Sequence, residues 1–361
     1  QENLSFIEAL RKLAQIAGVQ IPSDSEFDPL AAKKNELFKL HSIASDWFHQ
    51  NLLNKSKTAL HYLRKRGINE ETQLKFKLGL SLDGWTFLYD FLHENGYSDE
   101  FLVESGLCLR SPKSGKLYDR FRNRIIFPIF DPHGRVTGFS GRILESSSQK
   151  DSAKYMNSPE TLIFKKNQLL YGMFQAKENI AKHNMTILCE GHLDVCALHQ
   201  HGFTEALGVQ GTAFTEDHAR WISRYTRNMN LVFDGDSAGI KAALRVLPIA
   251  LSNEMNTKMI SLPEKEDPAS YLLTHTREEF QKFFTFSQSL YEFKIKHLLA
   301  NHDLTPEIKV SIANQMIEDL KHVKNSVLLD SLIQETSTYL HVDPFAIKSQ
   351  FEKIQSFHKK N

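Results

Sequence analysis

Acidic residues stand at three points of this chain where an apolar run ends. They are Glu190 and Asp194 in Glu190-Gly191-His192-Leu193-Asp194, Asp234 and Asp236 in Asp234-Gly235-Asp236-Ser237-Ala238-Gly239, and Asp267 in Leu262-Pro263-Glu264-Lys265-Glu266-Asp267-Pro268. Carboxylates gathered in one place repel, at ~4 Å and an effective dielectric of ~20 by on the order of 4 kcal/mol per pair. A hard divalent cation removes the conflict. Few, well-separated carboxylates suit Mg²⁺, which keeps waters and shares its remaining positions with substrate phosphates. An isolated Asp-Gly at a strand end is ordinarily a turn; three acid-bearing turns in this order are a metal-site pattern.

The elements that must position these acids are legible around them. Thr186–Cys189 and Asn230–Phe233 are short apolar runs that read as strands, and Lys258–Ser261 is a third. Helical spacing follows the first two, through Val195, Leu198 and His199 and through Ile240, Ala243, Leu244 and Leu247. Strand, tight turn and helix in succession predict a parallel α/β sheet, whose ligand crevice lies at the carboxyl ends of its strands.

This constellation resembles the TOPRIM domain shared by bacterial-type primases, type IA and type II topoisomerases and certain nucleases. The upstream segments narrow the choice. Tyr118-Asp119-Arg120-Phe121-Arg122-Asn123-Arg124-Ile125-Ile126-Phe127-Pro128-Ile129, Gly134-Arg135-Val136-Thr137-Gly138-Phe139-Ser140-Gly141-Arg142 and Lys154-Tyr155-Met156-Asn157-Ser158-Pro159-Glu160-Thr161 resemble the signature of the DnaG-type bacterial primase. So do Phe164-Lys165-Lys166 and Leu170-Tyr171-Gly172, and the resemblance covers essentially the whole chain.

The resemblance implies synthesis of short RNA primers on single-stranded DNA from ribonucleoside triphosphates. It implies catalysis with Mg²⁺ or Mn²⁺ at Glu190, Asp234 and Asp236, with Asp267 joining the metal set and Asp194 as a supporting acid. Arg120, Arg122, Lys154 and Lys166 would contact template or triphosphate, and Tyr155 and Asn157 would help position a nucleotide. The family commonly has Asp-Pro-Asp where this chain has Asp267-Pro268-Ala269, and His192 and Leu193 replace Tyr and Met. A TOPRIM-type nuclease or a topoisomerase fragment has the same acids. Magnesium-dependent DNA cleavage without nucleotides would mark the first; the second needs a separate transesterifying Tyr domain, which the arginine-rich motif does not match. An inactive DNA-binding adaptor is the non-enzymatic alternative.

Composition fits these readings. The net charge is only +1, yet from Arg110 to Met185 fourteen basic residues face six acidic ones, a local surplus suited to phosphate contacts. No apolar stretch approaches the ~20 residues of a membrane span, and the default expectation is a cytoplasmic protein with no membrane partner. Three cysteines without C-x-x-C spacing argue against a disulfide framework, and the 16 histidines show no metal-ligand spacing. Arg110 stands where a phosphate-loop glycine would have to precede Gly115-Lys116, which excludes a helicase fusion at that point.

The expected fold class is α/β, with an α+β N-terminal subdomain, a TOPRIM Rossmann-like central domain and a C-terminal helical bundle. Residues 1–30 read as the tail of an upstream zinc-binding module and a linker, with a capped helix from Ser5 to Ala17; 31–183 as the basic subdomain; 184–285 as the metal-binding domain; and 286–361 as the bundle. Helices are predicted over Asn35–Leu53 and Ser56–Arg66, strands over Arg124–Phe130 and Val136–Phe139, and polar loops over Ser111–Gly115 and Ser146–Asp151. Thr305-Pro306 and Asp343-Pro344 mark helix starts. By resemblance zinc belongs only to the missing upstream module, and the replicative helicase docks on a further C-terminal domain expected beyond Asn361.

Overall fold

Asp28 accepts the Leu30 backbone N–H at 2.9 Å, and Pro29 occupies the first helical turn, where its missing N–H costs nothing. The first long helix, Pro29–Lys55, therefore starts six residues before its predicted start at Asn35. The computed structural model describes residues 13–14, 16–17, 28–144, 153–300 and 302–358. The helix expected from Ser5 lies mostly outside the described residues, and the polar loop Ser146–Asp151 lies wholly outside them.

The N-terminal unit is an antiparallel sheet of order β1-β4-β5-β6, with β1 at Gly79–Ser81, β4 at Arg124–Phe130, β5 at Val136–Ile143 and β6 at Tyr155–Asn157. A two-stranded hairpin, β2 (Cys108–Arg110) with β3 (Leu117–Asp119), stands beside it around the predicted loop at 111–115. Pro128 interrupts β4 without harm, because β1 pairs only with residues Arg124 to Ile126 and leaves no strand facing the missing donor. Helix Pro29–Lys55 packs on this sheet through Leu40, Ala44 and Phe48, which share a core with Phe121, Ile126 and Phe139. The approach is closest at Gly79, where a Cβ would meet Phe48 Cβ at 2.6 Å and the Phe48 carbonyl carbon at 2.8 Å.

The central unit is a five-stranded sheet of order β11-β10-β9-β7-β8. Strands β7 (Thr186–Cys189), β8 (Ala206–Gly208), β9 (Asn228–Leu231) and β10 (Asn256–Met259) are parallel, and β11 (Gln288–Ser289) closes the edge antiparallel. The chain leaves β7 through helix His192–Gln200 to β8 on one side and then returns to β9 on the other. Strand order thus reverses between β7 and β9, the position at which open α/β sheets bind ligands. Edge strand β11 carries the sheet to Ser289, into the segment assigned from sequence to the bundle.

Four helices follow, Leu290–Leu299, Pro306–Leu320, Ser326–Leu340 and Pro344–His358. Thr305 caps the second, and Ile312, Met316 and Leu320 form its buried stripe. Tyr291 Oη and Thr336 Oγ1 share a buried hydrogen bond of 2.6 Å across the bundle.

Replacing Gly79 with alanine should push helix Pro29–Lys55 off the sheet at a cost of ~1–3 kcal/mol. Urea unfolding of Gly79→Ala checks this; a midpoint equal to that of the parent would mean that the close approach is not maintained in solution.

Candidate active site

Glu190 follows β7 and Asp234 follows β9, one on each side of the strand-order reversal. Strand β9 ends at Leu231, two residues before the predicted end, but Val232 continues the pairing by donating to Leu188 O at 2.9 Å. The backbone N–H of Asp234 lies 3.4 Å from Glu190 Oε1, which brings the two acids to one edge. Gly239 makes the turn possible, since a Cβ there would lie 2.2 Å from Asp234 O and 2.9 Å from Glu190 Oε1.

The other acids are held by helix ends. Asp236 Oδ1 accepts from Ala238 N at 2.9 Å and Gly239 N at 2.8 Å, capping helix Ser237–Ser252. Asp267 Oδ1 accepts from Ser270 N at 2.6 Å, capping helix Pro268–Thr274. Asp194 is buried: Oδ2 accepts from Gly191 N at 2.9 Å and Oδ1 from Ala269 N at 3.3 Å, so it ties the turn after β7 to the third acidic segment. Ala269, where the resembled family commonly has an acid, brings no carboxylate: it supplies this backbone donor and packs its methyl group against the core.

The charges feel one another. Burial and then the charge of Asp234 push the Glu190 carboxyl above its ordinary range. Burial raises Asp234 as well, followed by the charges of Asp267 and Asp236, while Lys154 opposes the shift. Asp194 is pushed up to about 7, by burial first and then by Asp267 and Asp234. Among the described residues no group of three or more Asp, Glu, His or Cys side chains is gathered closely enough to hold a metal ion by itself. The open set of hard oxygen donors fits a cation that keeps most of its water and takes one or two carboxylates, as Mg²⁺ does.

The predicted basic and polar residues divide. The charge of Lys154 lowers the Asp234 carboxyl, and that of Lys166 acts on His192. Arg120 is spent on the backbone, donating through Nε and Nη2 to Asn157 O at 3.2 and 3.0 Å. The amide of Asn157 donates to Gln210 O at 3.4 Å, and its buried Oδ1 has no partner among the described residues. Tyr155 is a wall rather than a free contact: its ring stacks on His192 with centroids 5.5 Å apart, and its hydroxyl accepts from Arg142 Nη1 at 2.8 Å. Burial pushes that hydroxyl up to about 12. Arg142, at the end of the Gly134–Arg142 segment but not among the predicted site residues, therefore positions Tyr155.

Arg122 lies away from these contacts, its guanidinium 3.7 Å from the ring centre of Trp85 and 5.4 Å from that of Tyr118. Trp85 is 65% exposed, a flat platform of the kind on which bases stack. Sequence reasoning missed it. The only local signal is a tryptophan in the polar turn Asp83-Gly84-Trp85-Thr86, which carries no charge pattern to set it apart.

A doubly wound sheet with acids at its strand-order reversal is the Toprim-like arrangement, and residues 187–272 match the Toprim-like family model. Residues 47–177 match the model of the N-terminal domain of the DNA primase catalytic core, and 291–344 that of the DnaB-helicase binding domain of primase. The DNA primase of Deinococcus radiodurans is 36% identical over 335 residues, covering 92% of this chain and 56% of that protein. The chain thus spans about half the length of the curated relatives it matches. A DNA primase domain from Pseudomonas aeruginosa superposes with a TM-score of 0.80 at 33% identity, over 88% of this chain and 99% of that one. A DnaG primase catalytic domain solved bound to single-stranded DNA gives 0.78 at 32% identity, over 88% and 99%.

The chain belongs to the DnaG-type bacterial primase family, whose catalytic core it spans. The helicase-binding match, expected only beyond Asn361, falls at residues 291–344 within the C-terminal bundle. Its amphipathic helices carry no local motif that distinguishes a docking bundle from a structural one.

The Asp194 shift has a sign that can be measured. A carboxyl whose folded value lies above its unfolded value contributes stability that is complete below the unfolded value and is lost as pH rises through the folded one. In EDTA, the stability of the parent relative to Asp194→Asn should therefore fall between about pH 4 and pH 7, by up to ~1.4 kcal/mol per pH unit, and level off above. Denaturant titrations across that range would contradict the assignment by giving a constant or growing difference.

Proposed function

We propose that this chain is a DNA-templated RNA polymerase that makes short primers on single-stranded DNA, joining ribonucleoside triphosphates by nucleotidyl transfer. The observation that carries this reading is the gathering of Glu190, Asp234 and Asp236 at the strand-order reversal, where the charge of Lys154 from the basic N-terminal unit is also felt at Asp234. Phosphoryl transfer leaves a protein little covalent work, so positioning and charge neutralisation dominate.

Glu190, Asp234 and Asp236, with Asp267 beside them, would hold Mg²⁺ or Mn²⁺, which supplies neutralisation of the triphosphate and activation of the attacking 3′-hydroxyl. Lys154 and Lys166 meet the negative charge of the triphosphate, and the unpartnered Oδ1 of Asn157 offers an acceptor to a nucleotide hydroxyl or amine. Arg120 holds Asn157 in place from behind. Trp85, Arg122 and Tyr118 form a stacking platform for template bases, with the guanidinium close to the strand's phosphates. Asp194 acts through the backbone it ties and touches no substrate. The bundle at 291–344 is the proposed docking surface for the replicative helicase, and the zinc implied by the resemblance belongs to an upstream module.

Asp236→Asn is the sharpest variant, because asparagine caps a helix as well as aspartate does and the fold should persist. Incubated with single-stranded DNA, four ribonucleotides and Mg²⁺ or Mn²⁺, Asp234→Asn, Asp236→Asn and Glu190→Gln should each lose at least ~100-fold in primer yield, the scale on which electrostatic transition-state contacts act. Yield near that of the parent from Asp236→Asn would refute the site. DNA cleavage without nucleotides would favour the nuclease reading.

The platform is tested separately. Trp85→Ala should weaken single-stranded DNA binding by ~1–3 kcal/mol while leaving the salt dependence intact. Arg122→Ala should lower the log–log salt slope by ~0.7. Salt-independent binding by the parent would contradict the electrostatic account.

A further inference from the structure

The far end of the N-terminal sheet carries a second cleft, lined by charged and apolar side chains alike. It is bounded by the first turns of helix Pro29–Lys55, by the turn between β4 and β5, and by the loop after β6, and encloses about 450 Å³. That volume lies within the range of small-molecule sites. The template platform at Trp85 and Arg122 lies by the opposite end of β4, near residue 124, whereas the cleft is reached at Asp131 and Arg135.

Its chemistry is specific. The Arg135 guanidinium lies 4.1 Å from the ring centre of Phe38, making a flat cationic and aromatic face. Asp131 fixes that face, accepting from Arg135 Nε at 2.8 Å and Nη2 at 2.7 Å and from the backbone N–H groups of His133 and Arg135 at 2.9 Å each. The carboxylate is thereby consumed in ordering the turn. Lys34, one helical turn before Phe38 on the same face, and Lys165, across the cleft, have no ion-pair partner among the described residues. Lys166, the next residue, acts instead on His192 beside the acid crevice. Adjacent lysines of one loop thus serve two different places.

A flat stacking face flanked by two uncommitted ammonium groups suits a planar base joined to phosphate. We propose that this cleft binds a nucleotide unit, at a site separate from the acid crevice, with the base against Phe38 and Arg135 and the phosphate at Lys34 and Lys165. Free nucleoside triphosphate and a nucleotide within a strand share this chemistry.

The test uses the full chain in EDTA, which keeps metal-bridged triphosphate out of the acid crevice, with ATP and with a twelve-residue oligothymidylate as alternative probes. Binding is measured by calorimetry, and hydrogen exchange reports protection of residues 34–38 and 131–135. Lys34→Glu combined with Lys165→Glu should weaken binding of at least one probe 10-fold or more relative to a control of equal charge change, Lys258→Glu with Lys348→Glu. Phe38→Leu should weaken the same probe severalfold, and Asp234→Asn should leave it unchanged, which separates this site from the proposed catalytic one. Loss for ATP identifies a free nucleotide as the ligand, and loss for the oligonucleotide alone identifies a strand. Affinities equal to the control for both probes, no binding of either by the parent, or no protection at 34–38 and 131–135 would overturn the proposal.

Discussion

Crowding of like charge is the constraint around which the central unit is built. Glu190, Asp194, Asp234, Asp236 and Asp267 interact with one another, and the shifts of Glu190, Asp194 and Asp234 all run toward the protonated form. A fold that only stored such charge would gain by losing it. Here the acids are also fasteners. Asp236 and Asp267 each cap a helix, whose positive end favours a carboxylate, and Asp194 joins two segments through backbone donors. Backbone N–H groups thus hold the carboxylates in fixed directions, and the remaining repulsion is of the kind that the proposed divalent cation would relieve. Among the described contacts Glu190 and Asp234 share a single long one, from the Asp234 backbone N–H, and neither caps a helix.

The N-terminal unit is fixed against this crevice by aromatic packing rather than by charge. His192 begins the helix after β7 and lies buried among Tyr155, Phe127 and Tyr171, with centroids 5.5, 5.1 and 4.7 Å away. Burial lowers its pKa to about 3, so the ring is neutral at ordinary pH and packs as an apolar plate. Strand β6 therefore presents Asn157, and Lys154 directly before it, from a packed wall, with Arg120 and Arg142 behind it. Two of the arginines in the family signature thus set geometry, and Arg122 is left beside an exposed tryptophan.

What could be read in the sequence follows from how local each signal is. Strand β4 matches the predicted Arg124–Phe130 to the residue, because a continuous apolar run ends at the Asp131-Pro132 turn, and β7 matches Thr186–Cys189 in the same way. Strand β9 is displaced by two residues: its first residues, Asn228 to Asn230, have weak strand propensity and are recruited by pairing with β10 and β7. Pro29 reads as linker punctuation, yet beside Asp28 it is a helix start. The acids were legible as a cluster, but their capping roles depend on which N–H groups the turns bring back. The platform of Trp85 and Arg122 joins residues 37 apart in sequence and leaves no periodic trace, and the docking match at 291–344 rests on helices with only an ordinary amphipathic pattern.

The claim that β7 and β9 present one cation site is tested most directly by paramagnetic line broadening with Mn²⁺ on the isotope-labelled chain. At substoichiometric Mn²⁺ the amide signals of Gly191, Gly235 and Gly239 should broaden together and recover on addition of excess Mg²⁺. Broadening confined to other regions, with these three amides unaffected, would contradict the account.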